Sequence, residues 1–134
     1  MNTTSLEVSK ELYEVSEWGR LEPTTQRPSF YYSTDRPYAG AMFGTQGYVH
    51  VVPAYDLGYL LRKLPKQSKF KDDFVTVIHK DVPSDSRKKS MWTAGYYTGD
   101  GWRYFQTAST PEDAAAMLAI ELFKQSILKR DSNV

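Results

Sequence analysis

Apolar positions divide the chain into helical stripes and β-rich runs. In the first stretch Leu6, Val8, Leu12, Tyr13, Val15 and Trp18 recur at near-helical spacing. Thr4-Ser5-Leu6-Glu7 precedes them as a capping box, with the Thr4 hydroxyl at the N-cap and a carboxylate three residues on. The pattern predicts a helix over residues 5–18, stopped at Gly19, with an acidic outer face of Glu7, Glu11, Glu14 and Glu17. Residues 20–46 lose all period and carry Pro23, Pro28, Pro37, Gly40 and Gly44, so they read as one long irregular loop. A short strand near Phe30–Ser33 is the one regular piece expected inside it.

Gly47–Val52 is a β-rich run. Leu57, Leu60, Leu61 and Leu64 then repeat at i, i+3, i+4, i+7 and predict a middle helix. Pro53 suits its first turn, Arg62 and Lys63 its negative end, and Pro65 ends it. Phe74–Lys80 is the next strand. "MWTAGYYT" and "WRYFQTA" flank Gly99-Asp100-Gly101 and predict a hairpin whose turn uses both glycines at positive φ. Alternation on the second arm sets Trp102, Tyr104 and Gln106 against Arg103, Phe105 and Thr107. The last helix has Thr110 as N-cap, Pro111 at the first position, and Glu112 and Asp113 in the positive first turn. Its inner stripe is Ala116, Ile120, Phe123 and Ile127, joined by Ala115, Ala119 and Leu122. These small residues suit close packing on a sheet. The order α–long loop–β–α–β–β–β–α predicts an α+β layered sandwich over residues 1–134. Its expected sheet has three to four mostly antiparallel strands, with about three helices covering it.

The 134 residues suffice for one domain without disulfide or metal staples. There is no cysteine, which removes thiolate catalysis and cysteine–zinc sites. The start "MNTTSLEVSK" is not that of a signal peptide, and no apolar run reaches bilayer length. These features suit a cytoplasmic protein without membrane contact. Net charge is +1, so no overall field recruits nucleic acid. Charge is uneven, however: residues 62–89 carry nine Lys/Arg against four Asp/Glu.

Three ordered segments carry a resemblance. "SKELYEVSEWG" ends the first helix in Trp-Gly, and "PAYDLGYLLRKLP" opens the middle one with Pro-x-Tyr. "WTAGY", "GWRYFQTASTPEDAAAMLAIEL" runs from a Trp-bearing strand through an aromatic hairpin into a Thr-Pro-capped alanine-rich helix. Together they resemble the phage ABA sandwich domain family, over roughly half the chain. Residues 20–46 and 62–89 lie outside the similar parts. The resemblance implies a phage- or prophage-encoded protein in the host bacterial cytoplasm, and no particular activity, cofactor or metal.

Candidate chemistry is sparse. His50 and His79 lie near strand ends and are the only side chains that titrate near neutrality unperturbed. A two-histidine phosphodiesterase needs a hydroxyl two residues after each histidine, and Val52 and Asp81 stand there. The plainer reading is two strand histidines that hydrogen-bond or face solvent. No Gly-x-Ser-x-Gly, Walker or Rossmann pattern occurs, and no carboxylate spacing suggests a metal cluster. The expectation is a non-enzymatic protein that occludes a bacterial host component, with Tyr31, Tyr32 and Tyr38 of the long loop as contacts. A second copy of the chain is a further partner class. The alternative is a nucleotide or nucleic-acid binder, stacking bases on Tyr96, Trp102 and Tyr104 with Arg103, Arg87, Lys88 and Lys89 on phosphates. A histidine-dependent phosphoesterase is the third reading.

Overall fold

Helix capping and alternation place most elements where the sequence pattern puts them. A computed structural model of the chain describes residues 2–20, 24–33, 51–65, 74–81, 91–98 and 101–130. Helix α1 is Leu6–Ser16, followed by a 3-10 turn at Thr24–Gln26. Strands β1 (Phe30–Ser33) and β2 (Val51–Ala54) precede helix α2 (Leu57–Lys63). Strands β3 (Phe74–Asp81), β4 (Met91–Thr98) and β5 (Gly101–Ala108) lead into helix α3 (Pro111–Lys124). The fold is α+β.

The single expected sheet is two among the described residues. β1 and β2 pair antiparallel on their own, and β3-β4-β5 form an antiparallel meander. Pro53 gives the reason. It sits inside β2 opposite Tyr31 rather than in a helical turn, and a strand lacking that N–H cannot serve as a central strand. Helix α2 consequently starts later, with Asp56 as N-cap accepting from Tyr59 N at 2.7 Å. This shift leaves Leu61 exposed at 42% while Leu60 and Leu64 are buried.

α1 also starts one residue later than its capping box suggests. Ser5 is the N-cap, and its hydroxyl accepts from Val8 N at 3.4 Å. Thr4 is fully buried instead. Its hydroxyl lies 2.6 Å from that of Ser9 and accepts from Tyr55 N at 3.0 Å. Thr4 N donates to Tyr55 O at 2.8 Å, so the N-terminal segment is stitched to the end of β2 by paired backbone and side-chain bonds. α1 ends at Glu17 in the left-handed region (φ 54), and Gly19 follows at φ 99.

α1 and α3 run parallel. Asp113 Oδ1 accepts from Ser5 N at 2.7 Å at one end, and Lys124 lies 3.6 Å from Glu11 further along. At the other end Arg130 donates to the backbone oxygens of Glu14 and Val15. α1 has no basic residue in its own last turn, so Arg130 supplies the charge that complements its negative end. α3 closes with a left-handed Ser126 (φ 60): Ser126 N donates to Phe123 O at 3.1 Å and Ile127 N to Leu122 O at 2.9 Å. This is the paired-bond C-cap in which glycine is the usual residue.

The core takes four of the ten tyrosines. Ala114, Ala115, Ala116, Leu118, Ala119 and Leu122 of α3 are fully buried with Leu12, Leu60, Ala94 and Tyr96. Each buried leucine contributes about 1.5–3 kcal/mol. Tyr13, Tyr55, Tyr59 and Tyr96 are buried with them or in the smaller cluster around Val51 and Val52. At two of these sites the tyrosine hydroxyl reaches a backbone carbonyl just beyond a helix end. Tyr55 donates to Trp18 O at 2.9 Å after α1, and Tyr96 to Pro65 O at 2.8 Å after α2. Trp18 closes this corner edge-on to Phe123 at 5.4 Å and Tyr59 at 6.4 Å. Burial holds the Tyr13 phenol above its ordinary value; Arg20 and Arg130 oppose that shift and Glu17 adds to it.

Candidate interaction surface

The site grows from one irregularity in the β4–β5 ladder. Trp92, Thr93 and Ala94 pair with Ala108, Thr107 and Gln106, whereas Tyr96, Tyr97 and Thr98 pair with Arg103, Trp102 and Gly101. Gly95 alone on β4 therefore opposes both Tyr104 and Phe105 on β5. This is a β-bulge, with Tyr104 in the left-handed region at φ 57. Gly101 opens β5 at φ 126, and β-structure follows it directly. That geometry is a strand start and not a phosphate cradle, which needs a helix N-terminus. Gly99 and Asp100 lie outside the described residues.

The bulge resets the alternation that the sequence predicts for β5. Ala94 and Tyr96 are fully buried in the cluster with α3, so their partners Gln106 and Arg103 belong to the same face. Tyr104 packs against that cluster too. Trp102 and Phe105 stand together on the opposite, outer face. A Cβ built on Gly95 would lie 2.8 Å from Phe105 Cα and 3.1 Å from Trp102 Cε3, which places both beside Gly95 on that face. Phe105 is 53% exposed and Met91 37%, while Trp102 is half-buried. Thr93, on the same face, is buried. The outer face of β4–β5 thus presents an exposed Phe105 beside a half-buried Trp102, both packed close over Gly95.

The other sequence-derived site residues fare differently. Tyr96 is removed from the surface set: it is fully buried and its hydroxyl is committed to Pro65 O. Tyr104 turns toward the core because of its bulge conformation. Arg103 lies across the sheet from Trp102, so the structure does not join them into one stacking-and-phosphate site. Tyr31 and Tyr32 are half-buried against Tyr13, Val51 and Val52, and Tyr32 donates to Thr4 O at 2.6 Å. Their first role is packing. His79 is in β3 opposite Thr93, at a register shift after Val77. His50, Tyr38, Arg87, Lys88 and Lys89 lie outside the described residues. Among the described residues no three His, Asp or Glu side chains converge on a metal-sized site.

Phe105 and Met91 were missed by sequence reasoning. The signal that could have found Phe105 is Gly95, a lone glycine inside a strand, which marks a bulge or a close backbone approach.

These features define an α+β protein whose outer β4–β5 face exposes Phe105. Among the described residues no helix is long and apolar enough to cross a membrane. No family model matches the chain, and neither a curated protein nor a solved structure matches it.

Proposed function

We propose that the chain is a non-enzymatic binding protein that covers a surface of a macromolecular partner with the outer face of β4–β5. The observation that carries this reading is the exposed Phe105 beside Trp102, held outward by the bulge opposite Gly95. Aromatic side chains are enriched at the centres of protein interfaces because they bring large contact area at low entropic cost. The resemblance to the phage ABA sandwich family makes the partner a bacterial host component, met in the host cytoplasm, and the chain a phage or prophage accessory protein. The nucleotide reading is weaker, since Tyr96 and Tyr104 are turned into the core and Trp102 falls on the face opposite Arg103.

The test is affinity capture from bacterial lysate with wild-type protein and with Phe105→Asp, whose circular dichroism should match wild type. The proposal expects a protein retained by wild type, unaffected by nuclease, and lost on Phe105→Asp. Retention of the same partners by the variant, or nuclease-sensitive capture, contradicts it.

A further inference from the structure

The chain turns back after α3, and residues 126–130 cross to the C-terminal end of α1. Ser126 makes the turn in the left-handed region at φ 60, a strained position for serine. Ile127 N and Leu128 N then share one acceptor, Leu122 O, at 2.9 and 3.1 Å. Their side chains pack half-buried on the core, while Ser126, Lys129 and Arg130 are exposed. Between this segment and the two helices lies a groove of about 390 Å³, with Val15 of α1, Phe123 of α3 and Leu128 along its apolar side.

Charge across this seam is matched pair by pair. Lys124 lies 3.6 Å from Glu11, and Arg130 Nη1 lies 3.9 Å from Glu17 Oε2. Arg130 also donates to the Val15 backbone oxygen at 3.2 Å and to that of Glu14. Among the described residues Arg130 carries the polar hold of the segment on α1. The side chains of Arg130 and Glu17 keep 53% and 35% of their surface open, so water and salt compete for these contacts. A strained turn, two bonds on one carbonyl and one exposed guanidinium are a light anchorage beside the fully buried stripe of α3. Local opening is drawn from segments of this kind.

We infer that residues 126–130 form a salt-sensitive strap, latched by Arg130, whose opening uncovers Val15 and Phe123 while α3 and the sheet stay folded. Screening weakens the attraction between Arg130 and Glu17, and water takes over the two carbonyls, so higher ionic strength favours the open strap. Closing returns a positive charge to the negative end of α1, which has no basic residue in its own last turn. The strap thus couples ionic conditions to the exposure of a second apolar surface. It is independent of the β4–β5 face.

Hydrogen exchange of the whole chain, read by mass spectrometry at about 0.01 M and about 1 M sodium chloride, tests the strap. The amides of Ile127 and Leu128 report the strap, and those of residues 115–120 report the body of α3. At low salt Arg130→Ala speeds strap exchange about tenfold and leaves residues 115–120 at the wild-type rate. High salt speeds strap exchange in wild type and adds little in the variant. The chain has no cysteine, so Val15→Cys supplies a single thiol on the groove. Its alkylation by iodoacetamide, an uncharged reagent, quickens with strap exchange when Arg130→Ala is added. Phe105→Asp leaves both rates alone. Strap exchange indifferent to Arg130→Ala or to salt overturns the inference. So does exchange that rises equally in the strap and in residues 115–120, or alkylation that ignores Arg130.

Discussion

Replacing Gly95 by alanine tests whether the bulge shapes the exposed face. Gly95 is not in the left-handed region, so the backbone accepts an L residue and the cost is steric alone. The new methyl would sit 2.8 Å from both Phe105 Cα and Phe105 Cβ, and 3.1 Å from Trp102 Cε3. Phe105 Cα belongs to the backbone, so a side-chain rotation cannot relieve the clash. Overpacking of this kind costs about 1–3 kcal/mol. Against this, losing a glycine from the unfolded chain returns about 0.4–1 kcal/mol. The steric effect wins, and Gly95→Ala should lose about 1–2 kcal/mol. For a chain of this size that is a fall in Tm of about 4–8 °C. Urea unfolding followed by tryptophan fluorescence reads it, with the m value unchanged. Adding Phe105→Ala to Gly95→Ala should recover little, because Cα and Cβ remain. A midpoint equal to or above wild type would refute the bulge geometry.

Three further substitutions probe the frame that holds this face. Thr4→Val keeps the shape of a buried side chain but strips the acceptor from Tyr55 N, and should cost about 1–3 kcal/mol in the same unfolding assay. Ser126→Gly should stabilise the protein by about 0.5–1 kcal/mol, since the left-handed C-cap of α3 is strained for serine and free for glycine. Tyr13→Phe should flatten the alkaline limb of the stability profile. The wild-type phenol ionises less readily folded than unfolded, so stability is intact below the ordinary value of 10.0 and declines as pH rises beyond it toward the folded value. Midpoints measured across that range for both proteins check the sign.

Helices were the most legible elements in the sequence because their signals are local. Thr110, Pro111 and the acidic first turn mark α3 within one residue, and the alanine stripe names its buried face. Errors arise where tertiary bonds override a local motif. Thr4 looks like an N-cap, yet Tyr55, distant in sequence, claims its hydroxyl, and Ser5 takes the cap. Pro53 looks like a helix start, yet pairing with Tyr31 draws it into a strand. The surface was less legible still. Simple alternation places Tyr104 with Trp102, and one extra residue in β5 sends Tyr104 inward and Phe105 outward. Tyr96 reads as a stacking residue until its hydroxyl is found on Pro65 O. Aromatic type alone does not distinguish a buried phenol that reaches a carbonyl from an exposed ring.

The central claim is that the Phe105 face meets the partner. Its most direct measurement is site-specific photocrosslinking in bacterial lysate, with a photoreactive phenylalanine analogue in place of Phe105 and, separately, in place of exposed Glu7 on α1. A single host protein crosslinked from position 105 and not from position 7 is the predicted result. Crosslinks from position 7 with none from position 105 would contradict it.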